Sequence, residues 1–383
     1  MKKVYLELAG RMHSLYREFI DYPPEGYEFI TEGASWDKVS KSAADSGIIY
    51  SVQKRFLRHI IPVNLTKAYL ERFKKIPQGT ELTFSVGHLV FRREPWVVQI
   101  EVAHQLAGYR VKYLKRYKRL IENTLASQYC KGIICWSDFG MKTMLANLDC
   151  QRFKHKLETI PLTAHSKDFT KKYHEDKVRL LFVGSINIPK EFEITGGKEA
   201  LEAFMYLRNK YDNLELVIRS DMPDEIKRKY SGIDNVRIID DTISWEEVEQ
   251  IYQNTDILLY PTYMVPGMKI LEAMSYEMPF IITDTWGNPE MDGKAGFIIK
   301  KSERVPFYVG NYEPVEIFKW ESLIKDTDLK MVQEIVEKAS VLIENKELRR
   351  KMGKAGRKEI ETGKFSIKRR NEKLKRIFDE ATA

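Results

Sequence analysis

The chain has 383 residues, 43% hydrophobic, 11% aromatic and 31% charged, enough apolar material for two or three cored domains and too much for a disordered chain. Lys plus Arg exceed Asp plus Glu by 63 to 55, a formal charge of +8, and no uninterrupted apolar run approaches the ~18 residues of a membrane-spanning helix. Glu7 interrupts the N-terminal apolar stretch, which argues against a secretion signal, and Cys130, Cys135 and Cys150 form neither a CxxC pair nor an even set, which suits a reduced, cytosolic compartment without disulfides or structural zinc.

In chain order, residues 3–8, 81–86, 96–102 and 132–135 read as strands, and Ser137 precedes a helical pattern over 139–148. Residues 160–172 are polar and without periodicity, and they read as a linker. The second half is more regular. Short apolar runs over 178–183, 214–218, 236–239, 256–260 and 279–283 predict buried strands. They alternate with helical patterns over 199–211, 224–230, 245–253 and 267–276, the third opened by a Ser244–Glu247 capping box. The C-terminal region reads as helical, with a break near Gly353 and Gly356. Such alternation predicts α/β domains with parallel sheets, whose ligands sit at the carboxyl ends of strands. The charge divides unevenly: residues 1–165 carry 26 basic against 16 acidic side chains, and residues 166–383 carry 37 against 39.

Two loops stand out as candidate sites. After the strand ending at Tyr260, Pro266 and Gly267 open a helix whose free N–H groups suit a phosphate, with Lys269 in its first turn. Glu272 lies one turn further in, among Ile270, Leu271, Ala273 and Met274. It either faces a narrow solvated stripe or accepts hydrogen bonds from ligand hydroxyls. The loop from Gly184 to Gly197 is long for a strand-to-helix connection. Its glycine pair, Gly196 and Gly197, allows close backbone approach to a ligand or else serves the dihedrals of a helix entry.

Four segments carry a family resemblance. They are Phe182-Val-Gly184 with Gly196–Phe204, Asp256–Thr262 with Leu271–Met274 and Pro279, Asn288-Pro-Glu290 with Gly296–Ile299, and Leu348–Gly356 with Phe365-Ser366. In this order and spacing the second half resembles the donor-binding half of glycosyltransferase family 4, as a divergent member. The resemblance implies a GT-B fold: two Rossmann-like parallel-sheet domains facing across a cleft, with C-terminal helices. Residues 1–165 would form the acceptor-side domain and 166–365 the nucleotide-sugar domain, with 366–383 a helix packing back towards the first. It further implies metal-independent, retaining transfer of a hexosyl-type sugar from a nucleotide diphosphate sugar to a glycan or lipid-linked acceptor. No cofactor is needed, since the nucleotide sugar is itself the donor substrate.

Carried onto this sequence, the donor site comprises Gly184, Ser185, Lys190, Arg219, Gly267, Met268, Lys269 and Glu272. Three positions depart from the family pattern: Met264 replaces a glutamate, and Ser185 and Thr195 replace a basic pair. They raise the alternative of a catalytically degenerate nucleotide-sugar binding or regulatory protein. On the acceptor side, Glu101, His104 and His88 stand at or just beyond strand ends, as reactive-centre groups or as satisfied polar residues. Residues 108–125 and 54–75 are basic and amphipathic, either ordinary solvated helices or elements lying on an anionic membrane. A cytoplasmic protein, peripheral at the inner membrane face, is the resulting expectation. No nucleic-acid module is recognisable, and nucleic acid is not an expected partner.

Overall fold

A computed structural model describes residues 1–8, 14–31, 62–173, 176–186, 188–189, 191–264, 267–291, 293–315 and 320–383. The chain divides into two compact units, one of Met1–Thr163, Phe307–Glu316 and Ile367–Ala383, the other of Ala164–Pro306 and Ile317–Ser366. The first break falls two residues before the expected one. Residues 307–316, expected in the second domain, cluster instead with the first unit, as does the C-terminal segment.

The first unit is built on a parallel sheet of β1 (Lys2–Leu8), β2 (Tyr27–Ile30), β3 (Thr80–Val86), β4 (Trp96–Ile100), β5 (Cys130–Cys135) and β6 (Leu157–Thr159), in the order β2-β1-β3-β4-β5-β6. All five residues of β4 are buried, as a central strand covered on both faces requires. Strands β2 and β6, four and three residues long and without a buried run, leave no signal in the sequence. Around the sheet lie α1 (Ser14–Ile20), α2 (Val63–Glu71), a 3₁₀ turn (Ala103–Ala107), α3 (Val111–Arg116), α4 (Lys118–Ala126) and α5 (Asp138–Asn147). The C-terminal helix Ile367–Thr382 packs on the same sheet. Its Ile377 methyl lies where Gly132 lacks a Cβ, and its Phe378 ring meets Tyr27, Phe29 and Phe84.

The basic stretch 108–125 is not one continuous helix: it breaks at Tyr117 into α3 and α4. Its apolar residues Val111, Leu114, Ile121 and Leu125 are buried, leaving a mostly charged outer face on which Leu120 is also exposed. Residues 54–61 of the other basic stretch lie outside the described residues.

The second unit contains β7 (Val178–Val183), α6 (Glu191–Ile194), α7 (Gly197–Arg208), β8 (Leu214–Arg219), α8 (Asp224–Tyr230), β9 (Val236–Ile239), α9 (Trp245–Gln253), β10 (Ile257–Tyr260), α10 (Met268–Ser275), β11 (Phe280–Thr283), β12 (Gly296–Ile299), α11 (Leu329–Glu344) and α12 (Lys346–Glu361). Its six strands are parallel in the order β12-β11-β10-β7-β8-β9. The chain builds outward from β7 to β9, then returns to lay β10 on the other side of β7. Between β7 and β10 lies the topological switch point, where loops diverge and leave a crevice for ligands. The two loops singled out by sequence leave these two strands.

The expected helix break at Gly353 and Gly356 does not occur, since α12 runs through both. A Cβ at Gly353 would lie 2.1 Å from the Glu277 carbonyl oxygen, and one at Gly356 3.2 Å from Met274. Both glycines let α12 approach α10 and its following turn. No helix among the described residues is long and apolar enough to cross a membrane.

Candidate functional site

In the second unit, candidate binding groups gather at the switch point. A Cβ at Gly184 would fall 2.0 Å from the Ser220 hydroxyl, so the ends of β7 and β8 come together only because that residue is glycine. The Ser185 carbonyl accepts the Asp221 N–H at 2.8 Å and the Ser220 hydroxyl at 3.2 Å, which ties the two strand ends to each other. Arg219 closes β8, and its buried Nε has no hydrogen-bond partner among the described residues. A buried donor beside a switch-point loop is able to take an acceptor from a bound ligand.

Gly267 stands at the N-cap of α10 with an extended backbone, φ −101° and ψ 177°. A Cβ there would meet nothing closer than 4.0 Å, so the fold itself does not demand glycine. Met268 follows, buried, and Lys269 lies with its ammonium 5.1 Å from the Tyr260 ring centre. Val265, Pro266 and Lys190 lie outside the described residues.

Glu272 retains some accessible surface, yet protein atoms crowd its carboxyl and burial raises its pKa. Tyr252 on α9 donates to Glu272 Oε2 at 3.0 Å, and Lys269, Lys167 and Arg219 oppose the effect of burial. A solvated stripe would not produce this environment. The carboxylate faces cations and one phenol and has capacity for further donors.

The departures from the family pattern are also placed. Met264 is partly exposed, its N–H donating to Thr262 Oγ1 and its carbonyl accepting from Thr285 Oγ1. The Thr195 hydroxyl is bonded to the Glu191 and Phe192 carbonyls of α6. Lys198 is held by the Ile324 and Lys325 carbonyls and by Glu193, which leaves it engaged within the fold. The glycine pair serves packing: Gly196 has φ +83° and faces the Pro261 carbonyl, and Gly197 abuts the Phe192 ring.

In the first unit, Glu101 follows β4 directly. Tyr109 donates to its Oε2 at 2.7 Å, while burial pushes the carboxyl pKa up to about 7. His104 lies in the adjoining 3₁₀ turn with its ring edge-on to Tyr109, 5.5 Å between centres. Its Nδ1 shares a 3.1 Å hydrogen bond with the hydroxyl of Tyr308, from the 307–316 segment, and burial pushes its pKa down to about 4. Phe139 packs edge-on against Tyr308 and Tyr312. Glu101 and His104 therefore share one aromatic-walled cluster.

His88 belongs to a different network. Its Nδ1 lies 3.1 Å from the Val86 carbonyl, and its buried Nε2 is 4.0 Å from Glu7. Arg92 grips Glu7 with bonds of 2.6 and 3.0 Å. Glu7, Glu71 and His88 could together approach a cation, but the Arg92 guanidinium already supplies that positive charge.

Sequence reasoning missed Tyr252, Tyr109, Lys167 and Tyr308. Each acts on its partner across a turn or across the fold, and local spacing carries no sign of the contact.

Residues 177–307 match the family model described as glycosyl transferases group 1. This segment is similar to that family. Among curated proteins none matches the chain by sequence. By structure the chain is similar to HepE from Anabaena in complex with UDP and glucose, with 11% identity, 99% of each chain covered and a TM-score of 0.63. It is also similar to WaaG, a glycosyltransferase involved in lipopolysaccharide biosynthesis, at 15% identity, covering 97% of this chain and 98% of that one, with a TM-score of 0.56. The pneumococcal O-GlcNAc transferase GtfA, in complex with UDP and GlcNAc, gives 15% identity and a TM-score of 0.56 over 78% of this chain and 56% of its own. The two parallel-sheet units and these likenesses make the fold GT-B. The group 1 segment contains the switch point and the donor-side residues from Gly184 to Glu272, with Lys167 outside it.

Proposed function

We propose that the protein is a retaining glycosyltransferase of family 4 that uses a nucleotide diphosphate sugar, with a uridine nucleotide as the first donor to test. The observation that carries this reading is Glu272. A carboxyl held among Arg219, Lys269 and the Tyr252 hydroxyl, one turn into a helix at the switch point, suits ribose hydroxyls beside a diphosphate. The crystals of HepE and GtfA contain UDP, which supports the choice of base.

In this reading the N–H groups of Gly267 and Met268 and the side chains of Arg219 and Lys269 take the diphosphate, and Gly184 and Ser185 line the strand end. As the bond from the anomeric carbon to the leaving phosphate breaks, negative charge grows on that phosphate, and these groups stabilise it without a metal. The bond to the acceptor oxygen forms on the same face, and the leaving phosphate takes the acceptor's proton. Glu101 and His104 are the proposed acceptor-side groups, for a glycan or lipid-linked hydroxyl. His88, held with Glu7 and Arg92, supports the strand end instead.

A thermal-shift screen over nucleotide diphosphate sugars and free nucleotides tests the donor site, because a ligand that binds only the folded state raises its midpoint. No shift with any of them would overturn the reading. Release of UDP in the presence of a glycan panel distinguishes turnover from binding alone. Retention is read from the anomeric configuration of the product by proton NMR, and metal independence from an unchanged rate in chelator.

A further inference from the structure

Residues 307–316 interrupt the chain of the second unit and fold with the first. They form a small antiparallel hairpin of β13 (Tyr308–Val309) and β14 (Glu313–Pro314), with Tyr308 opposite Pro314. Alternation along β13 turns Tyr308 inward and leaves Val309 48% exposed. Three residues of α5 hold the hairpin. Phe139 meets the rings of Tyr308 and Tyr312 edge-on, at 5.0 and 5.4 Å. The Lys142 ammonium lies 5.6 Å from the Tyr312 ring centre, and Asn147 Nδ2 donates to the Tyr312 carbonyl at 3.0 Å. Tyr312 has a left-handed backbone, φ 63°, which a bulky residue keeps only where such contacts fix it. The anchored hairpin presents one phenol to the end of β4. The Tyr308 hydroxyl lies 3.1 Å from His104 Nδ1, and the imidazole stands nearly perpendicular to the rings of both Tyr109 and Tyr308, with 5.5 and 5.7 Å between centres.

From this arrangement we infer that Tyr308 is a positioning residue for His104, its hydroxyl donating to Nδ1. The imidazole then carries its proton on Nε2 and meets the acceptor as a hydrogen-bond donor, not as a base. A phenol is a good donor and a weak acceptor, because its oxygen lone pairs are delocalised into the ring, whereas the bare nitrogen of a neutral imidazole is a strong acceptor. Burial and the nearby Glu101 carboxyl raise the Tyr308 pKa, so the phenol keeps its proton, and burial keeps His104 neutral. A neutral imidazole has one N–H, and the bond made at Nδ1 decides which nitrogen carries it. The inference rests on the reading of His104 as an acceptor-side group. It agrees with a transfer in which the leaving phosphate takes the acceptor's proton, where His104 has only to hold an acceptor oxygen in place.

Proton–nitrogen correlation spectra of the full chain labelled with nitrogen-15 histidine, recorded at neutral pH, test it, with His104→Gln identifying the signal. The wild type is expected to show His104 as the Nε2–H tautomer, and Tyr308→Phe a mixture of the two tautomers. Asn147→Ala, which removes a bond that anchors the hairpin to α5, should shift the tautomer in the same direction. Val309→Ser, at the outward position of β13, should leave it as in the wild type. An Nδ1–H tautomer in the wild type, or an unaltered Nε2–H signal in Tyr308→Phe, would overturn the inference. The donor role is read from UDP release over the glycan panel. His104→Gln keeps an amide N–H near the place of Nε2 and should stay within about fivefold of wild-type kcat/KM, whereas His104→Ala should lose roughly tenfold, the scale of one hydrogen bond. Equal losses in the two variants would overturn that role. Unchanged release by His104→Ala, with the Nε2–H tautomer present in the wild type, would instead remove His104 from the acceptor side and leave the hold of Tyr308 on the imidazole standing.

Discussion

Tyr109 donates a 2.7 Å hydrogen bond to Glu101 from a left-handed backbone, φ 59°. Gly108 before it is also left-handed, φ 68°, so the turn reverses sharply and brings the phenol back over the end of β4. A bulky residue adopts this conformation only where surrounding contacts over-determine it. The result is a carboxyl close to half-protonated at neutral pH, beside a histidine that stays neutral.

The opposite shifts of Glu101 and His104 predict a masked pH dependence. Glu101 in the fold holds its proton up to about 7, against an ordinary 4.5, so its contribution to stability is present at low pH and lost as pH rises to 7. His104 in the fold stays unprotonated down to about 4, against an ordinary 6.5, so its contribution is present above 6.5 and lost as pH falls to 4. Between 4.5 and 6.5 the two oppose each other. Glu101→Gln should therefore make stability climb with pH more steeply than in the wild type, by at most ~1.4 kcal/mol per pH unit. Denaturant unfolding at several pH values gives the difference, and a flat one would show that Glu101 is not perturbed. Tyr109→Phe removes the hydrogen bond that lowers this pKa, and a carboxyl carbon-13 titration should show it moving further up.

Glu272→Ala should weaken UDP binding by roughly tenfold or more, the scale of losing hydrogen bonds to a charged group. The thermal midpoint should fall little, because Glu272 keeps some accessible surface and water can accept from the Tyr252 hydroxyl in its place. Tyr252→Phe should weaken binding less, since Glu272 keeps its acceptor atoms. Isothermal titration checks both, and an unchanged dissociation constant for Glu272→Ala would remove it from the site.

Two glycines of the second unit should respond differently to alanine. At Gly196, φ is +83° and a Cβ would stand 2.2 Å from the Pro261 carbonyl oxygen. Gly196→Ala should cost more than the ~1–2 kcal/mol of a left-handed alanine, with the clash in addition. Gly267→Ala meets open space at an ordinary φ. It should leave the unfolding midpoint within error and reduce only UDP affinity.

Arg370 in the C-terminal helix is buried, and its bonds go to Thr163 Oγ1, the Tyr22 carbonyl and Asn371 Oδ1, with its guanidinium 4.8 Å from the Phe19 ring centre. Burial lowers its pKa to about 10. Arg370→Ala should destabilise the first unit by roughly 2–4 kcal/mol through the cavity and the lost bonds. Arg370→Met should cost less, because Asn371 Nδ2 also serves the Tyr22 carbonyl. Exposed Lys368→Ala is the control, expected within about 0.5 kcal/mol of the wild type.

By itself the sequence determined the α/β class, five of the six sheet strands of the second unit to within about two residues, the capping box at Ser244, and the two loops that leave β7 and β10 at the switch point. Each depends on local burial period or a short capping pattern, which a few consecutive residues record. The family resemblance rests on the same local segments. Tertiary structure alone decided the assignments that depend on strand order and crossovers. It set Tyr252 against Glu272 and brought Tyr308 to His104 from 204 residues away. It also gave residues 307–316 to the first unit. Gly353 and Gly356, which read as a helix break, became a packing surface because their neighbours come from α10 and its following turn, whose approach no local pattern encodes. The basic stretch 108–125 changed meaning for the same reason: sequence shows that a face is apolar, and only the fold shows what covers it.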